Sequence, residues 1–299
     1  MKIKDAFEGY LAYRRKLGRK AITLANDTNM LYGSFMHSIA DRDLLSLKMT
    51  DIADLMEAGK EHGTYGPQRS VSTLRKFLQY CEEAGIETPF DWRDVEVPHV
   101  PKKMNEYLTQ EELVTVMESF DVTRLHGLRT RALCEVLLAT GLRISEALSL
   151  NRNDINWTAK EARVINAKNG DQETVLFTDR ALLWLRRYLD ARTDKQPYLF
   201  TAGIGRMPPV TARCYLREHT KKLGIKKHIK NHIFRKSFVT HLIERGADLA
   251  MVSSLARHRD ARTTLRFYAA VNKERSKDIH HTIMNDTLPK VDDESEQHV

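Results

Sequence analysis

Residues 127–151, GLRTRALCEVLLATGLRISEALSLN, decide how this chain is read. Apolar residues recur at helical spacing up to Thr140, the pattern stops at Thr140-Gly141, and it resumes after Arg143. That predicts two helices broken at the Thr-Gly pair, because glycine enters the left-handed backbone of a helix end without a Cβ penalty. Arg143 then opens an otherwise apolar helix. Taken alone, such an arginine snorkels to water or pairs with Glu146, three residues on.

The pattern outward from this stretch is helical on both sides. Residues 3–18 space Ile3, Phe7, Tyr10, Leu11 and Leu17 along one helical face, with Gly18 as a stop. Residues 23–39 and 71–85 repeat the pattern, the latter ending at Gly85. Between them, 46–63 predicts a helix with Thr50 or Asp51 as N-cap. Four to five such helices make a small all-α bundle over 1–88. A linker over 89–106 holds Pro89, Pro98 and Pro101, lacks a helical period, and is expected to be extended. Thr109 and Glu112 then form a capping box. One segment breaks the helical run. Residues 161–177, EARVINAKNGDQETVLF, carry β-branched residues on both sides of Asn169-Gly170, which predicts a hairpin. Helices resume from Asp179 to about Met284, and the acidic last fifteen residues, 285–299, are expected to be disordered.

Composition narrows the class. The 299 residues allow about two domains, and 29% charged residues argue for a soluble surface. No run approaches the roughly 20 apolar residues of a membrane span, and the N-terminus has no apolar signal region, so a cytoplasmic location is expected. Three cysteines without a CxxC pair read as reduced thiols. The net charge of +8 is unevenly placed: −1 over residues 1–98, +13 over 99–283 and −4 over the tail. The basic excess of the second segment suits a polyanion.

Two further stretches carry chemistry. In HIFRKSFVT, residues 232–240, His232 and Arg235 share a helical face. In RHRDARTTLRFYAAV, residues 257–271, His258 precedes adjacent aromatics Phe267 and Tyr268. Metal ligation by His232, His241 and His258 has no supporting HExxH motif, and no two of these three stand at His-x3-His spacing, so neither a metal nor a cofactor is expected.

The ordered set Arg143, Lys168, His232, Arg235, His258 and Tyr268 resembles the tyrosine recombinase (phage integrase-like) family, most closely its short Xer-like members. TGLRISEAL matches that family's TGLR-x-SE-x-L stretch, AKNGDQETVLF its lysine-bearing hairpin, HIFRKSFVT its HxLRHTFAT box, and ARH its LGH. The resemblance implies a mainly α protein: a core-binding, SAM-like helical bundle over 1–88, the linker 89–106, and a mostly helical catalytic domain over 107–284 with a small β-hairpin.

It also implies roles. Tyr268 would attack a DNA phosphodiester and store the bond as a 3′-phosphotyrosine. Arg143 and Arg235 would clamp the non-bridging oxygens, Lys168 would protonate the leaving 5′-oxygen, His232 would assist tyrosine deprotonation, and His258 would donate to the phosphate. Glu146 would hold local geometry. The partners implied are double-stranded DNA with a specific core site and further copies of the chain, four protomers exchanging strands on two sites through a Holliday junction. The segment 272–284, with Ile279, Ile283 and Met284 as its apolar face, would dock on a neighbouring protomer or pack back on its own domain.

Three departures from the family pattern stand out. Arg257 replaces a small glycine before the histidine, and Asp171 and Glu173 replace basic hairpin residues. The family's tyrosine usually lies nine residues after the histidine, where this chain has Phe267; Tyr268 is one later. Only Tyr268 has a hydroxyl, so the reading takes it as nucleophile. The alternative is a DNA-binding protein of the same fold in which Phe267, by a natural or engineered Tyr→Phe change, occupies the nucleophile's place and no cleavage occurs. A monomeric type IB topoisomerase shares the chemistry but not the short Xer-like layout.

Overall fold

The computed structural model describes residues 1–32, 39–101, 106–165, 172–258, 260–269, 271, 280 and 283. Its contacts divide the chain into two units, Met1–Lys103 and Met104–Val299. The architecture is mainly helical with small antiparallel sheets.

The first unit holds helices α1 (Ile3–Lys16), α2 (Ala21–Tyr32), α3 (Met49–Gly59) and α4 (Gly66–Glu83). Phe7, Tyr10 and Phe77 form a buried aromatic cluster with ring centroids 5.5–6.0 Å apart, and Leu55, Val71, Leu74 and Leu78 complete the core around it. Three expectations need correction. Leu17 is 53% exposed, because α1 ends at Lys16 and Leu17 falls at its C-cap, off the buried face. Neither Thr50 nor Asp51 is the N-cap of α3. The helix begins earlier, and Asp51 in its first turn accepts the Lys48 N–H at 2.7 Å while Arg42 clamps the same carboxylate. The linker is not uniformly extended: Asp91 caps a 3-10 turn over Trp92–Asp94, and Val95 is fully buried in the bundle core.

The second unit is built around α6 (Leu125–Thr140), buried on nearly all sides by its neighbours. Before it lies α5 (Gln110–Glu118), with the expected Thr109–Glu112 capping box. After it comes α7 (Ile144–Ser149), so the helix pair does break at Thr140-Gly141. Gly141 has φ +61°, and a Cβ there would meet the Phe238 ring at 2.5 Å. Both facts demand glycine. Strands β1 (Ile155–Asn156), β2 (Glu161–Ile165) and β3 (Gln172–Leu176) form an antiparallel sheet in which Ile165 faces Gln172. The predicted hairpin is present. Its connection, with Lys168 and Asn169-Gly170, lies outside the described residues.

Helix α8 (Asp179–Asp190) follows, then a small pairing of β4 (Thr201–Ala202) with β5 (Gly205–Arg206). Two-residue strands are too short to leave a period in the sequence, and this pairing was not foreseen. Helices α9 (Pro209–Thr220), α10 (Asn231–Glu244) and α11 (Leu249–Ala256) lead to α12, over 261–269. Val239, Ile243, Val252, Ala256 and Phe267 form a satellite core that ties α10, α11 and α12 together. The interprotomer segment proposed at 272–284 is described only at His280 and Ile283, and the acidic tail not at all. Among the described residues, no helix is long and apolar enough to cross a membrane.

Candidate active site

Arg235 projects from α10 into the junction between the end of α6 and the end of α11. It is 3% exposed. Nη1 donates to the Gly141 carbonyl at 2.6 Å, and Nη2 donates to the Ala256 carbonyl. These two bonds fix the guanidinium plane and leave its other N–H groups without a partner among the described residues. Burial first, then the Arg143 and Arg257 charges, lowers its pKa to about 10, so it remains charged at neutral pH. A buried cation with donors to spare can bind an anion.

Arg143 sits at the N-cap of α7, in the turn that Gly141 creates. Its own N–H donates to Glu146 Oε2 at 2.9 Å, and its Nη1 donates to Glu146 Oε1 at 2.7 Å. Its side chain is nonetheless 45% exposed, with Nε and Nη2 without a partner among the described residues. Burial opposes ionisation of Glu146, but the Arg143 hydrogen bonds and the Arg257 charge outweigh it and hold the carboxyl below its usual range. The pairing that a lone sequence reading allows is therefore present. It uses only part of the arginine.

The three histidines His232, His241 and His258 separate into two kinds. His241 uses both ring nitrogens internally, Nδ1 with Glu244 and Nε2 with the Leu108 carbonyl, each at 2.9 Å. His232 and His258 belong to the arginine cluster. His232 keeps an exposed edge, yet the protein packed about its ring lowers its pKa, and the Arg235, Lys236 and Arg143 charges add to that effect. His258 is pushed down to about 4, first by burial and then by Arg235, Arg143, His232 and Arg257. These groups are thus within electrostatic reach of one another. Thr264, fully buried, holds His258 Nδ1 at 2.8 Å, which leaves Nε2 available.

Phe267 and Tyr268 part company. Phe267 is 7% exposed and its ring stacks on His258, centroids 6.5 Å apart and planes 18° from parallel. Tyr268 is 37% exposed and makes no hydrogen bond among the described residues. One step along a helix turns a side chain by about 100°, which accounts for the contrast. Next to this segment a cavity of about 810 Å³ is lined by Glu173, Thr174, Ser253, Ser254, Arg257 and His258 among others. Of the sequence candidates, Arg143, His232, Arg235 and His258 are brought together. Tyr268 stands one residue from the ring beside His258, and Lys168 lies outside the described residues. Thr264 was missed, although its place in the Thr-Thr pair six residues after His258 offered the signal.

Comparison with known proteins places the chain in a family. Residues 106–275 match the phage integrase family. The chain is 30% identical over 239 residues to the tyrosine recombinase XerC of Chlamydia pneumoniae, spanning 77% of this chain and 74% of that one. It is 31% identical over 248 residues to the tyrosine recombinase XerD of Oceanobacillus iheyensis, spanning 79% and 82%. The crystal structure of a lambda integrase dimer bound to a COC′ core site shares the fold, with a TM-score of 0.74 at 14% identity over 90% of this chain and 77% of the other. These matches lead to one conclusion: the chain belongs to the phage integrase, or tyrosine recombinase, family of enzymes.

Proposed function

We propose that this protein is a site-specific DNA recombinase that cleaves and rejoins duplex DNA through a 3′-phosphotyrosine at Tyr268. The observation that carries the reading is the convergence of Arg143, Arg235, His232 and His258 around the Gly141 turn. In this reading the phenolic oxygen of Tyr268 attacks phosphorus as the bond to the 5′-oxygen breaks. His232 takes the phenolic proton, and Lys168 gives a proton to the departing 5′-oxygen. The free donors of Arg143 and Arg235 bind the non-bridging oxygens and offset the charge of the pentacovalent transition state. With Thr264 donating to Nδ1, neutral His258 presents Nε2–H to the same phosphate. Attack by a 5′-hydroxyl of a second duplex reverses the chemistry and exchanges strands. Four protomers on two core sites would do this in pairs through a Holliday junction, with segment 272–284 docking between neighbours; the DNA-bound lambda integrase dimer supports the DNA partner. The work would take place in the cytoplasm.

A second reading keeps the DNA and removes the cleavage. It is favoured by Phe267, buried against His258 at the position nine residues after the histidine. The test uses a duplex recovered from a randomised library by binding to the protein, nicked just beyond the crossover so that a cleaved strand diffuses away. A covalent adduct on a denaturing gel that disappears in Tyr268→Phe supports the recombinase. Tight, specific binding with no adduct at any position of the nick supports the second reading.

A further inference from the structure

Two of the departures from the family pattern meet in space. Arg257, where a small glycine is usual, follows α11 in the left-handed region at φ +52° and ψ +49°. A non-glycine residue is held there against a steric penalty, so something must retain it. Its side chain is 6% exposed and lies between two carboxylates. Nη2 donates to Glu146 Oε2 at 2.9 Å, and Nε is 3.1 Å from Glu173 Oε2. Glu173, on β3 opposite Val164, is itself the acidic residue that stands where the pattern carries a basic one. The two exchanges are complementary: a cation gained at 257 and an anion gained at 173 form one ion pair. Glu146 is the hinge of the chain, since its other oxygen accepts Arg143 Nη1.

We propose that Arg257 is a positioning residue of the phosphate site, acting through Glu146 on Arg143, and that Glu173 is its partner, tying the β2–β3 hairpin to that site. The physical reason lies in how Glu146 divides its charge. With Arg143 as its only cation, a buried carboxylate would draw that guanidinium fully onto itself. Arg257 neutralises the Oε2 side, so the Arg143 guanidinium keeps one bond to Glu146, through Nη1, and presents Nε and Nη2 outward. Glu173 in turn fixes Arg257, so the strand that leads from the Lys168 connection and the arginine that meets the phosphate are held by one run of alternating charges: Arg143, Glu146, Arg257, Glu173.

The proposal rests on the reading of Arg143 as a phosphate contact. It is tested by single-turnover cleavage of the selected nicked duplex, carrying either an ordinary phosphodiester or a neutral methylphosphonate at the scissile position. Arg257→Gly suits the left-handed backbone and Glu173→Gln keeps the side-chain shape, so both variants fold, as thermal melts check. Each is expected to slow phosphodiester cleavage on the order of 10- to 100-fold, the scale of a small misplacement of a reacting-site group. The double variant is no slower than Arg257→Gly. The deficit shrinks several-fold on the methylphosphonate, which has no charge for Arg143 to offset, and vanishes in an Arg143→Ala background. Equal slowing on both substrates would mean a merely structural role and overturns the proposal. So does a further loss from Arg257→Gly in the Arg143→Ala background, which would mark a direct phosphate contact. Wild-type cleavage by Arg143→Ala sinks the parent reading and this one with it. Wild-type cleavage by Arg257→Gly beside an impaired Arg143→Ala overturns the proposal alone.

Discussion

Arg192 and Arg143 each follow a helix in the same unit, and they use their five N–H donors in opposite ways. Arg192 has a side chain with 0% exposure and spends every donor within the loop 192–199. Nε and Nη2 reach Asp194 at 3.0 and 2.5 Å, Nη1 reaches the Tyr198 and Leu199 carbonyls at 2.8 and 3.0 Å, and Nη2 also reaches the Gln196 carbonyl at 3.4 Å. The Asp194 carboxyl, hydrogen-bonded to this guanidinium, falls to about 2. Among the described residues, Arg143 gives a single side-chain bond, to Glu146, and its other donors have no partner. The first arginine is spent on the protein's own loop; the second keeps donors that the described residues do not use. Donor saturation, rather than burial, distinguishes them, because buried Arg235 sides with Arg143 in leaving donors unused.

The contrast predicts opposite phenotypes. Arg143→Ala should cut adduct formation on the nicked duplex by roughly 100- to 1,000-fold while the melting temperature stays within about a degree of wild type. Arg192→Met should do the reverse. It orphans the Tyr198 and Leu199 carbonyls and leaves Asp194 with only Arg152, 3.6 Å away, at a cost of about 3 kcal/mol in urea unfolding, while the folded fraction cleaves normally. Comparable effects of the two variants in either assay would erase the distinction.

His258 supplies a pH test of the same cluster. Its folded pKa, about 4, lies below the unfolded value near 6.5. Between those values the unfolded chain binds the extra proton, so stability falls as pH drops from 6.5 toward 4 and is unaffected above 7. Replacing His258 with Gln should flatten that part of the stability curve by roughly 1–3 kcal/mol; an unchanged slope would place the titration elsewhere. Thr264→Val, which removes only the hydroxyl on Nδ1, should have the smallest effect. A several-fold slower cleavage, with unchanged DNA affinity, is expected if that hydroxyl sets the His258 tautomer.

Much of this was legible in the chain itself, for reasons that can be named. The Thr140-Gly141 break was visible because only glycine satisfies both a positive φ and the Phe238 ring. The Thr109–Glu112 box was visible because capping is local chemistry. The hairpin was visible because β-branched residues flank a turn pair. What escaped was decided across sequence. Val95 leaves the linker for the bundle core through contacts with distant helices, and no periodicity announces it. The Arg257–Glu173 pair joins two substitutions 84 positions apart in the numbering, each of which alone looked like a blemish in a motif. The neighbouring aromatics are the middle case. Only Tyr268 of the two carries a hydroxyl, and the packing of Phe267 against Val239, Ile243, Val252 and Ala256 explains why the preceding position is apolar.

The central claim is that Tyr268, and not position 267, carries the DNA. The direct measurement is to trap the adduct on the nicked duplex, digest protein and DNA, and locate the nucleotide-bearing residue by mass spectrometry, with Phe267→Tyr run in parallel. A phosphotyrosyl nucleotide is expected on Tyr268 in the wild type and is lost in Tyr268→Phe. An adduct that forms only in Phe267→Tyr, attached at residue 267, would contradict the claim.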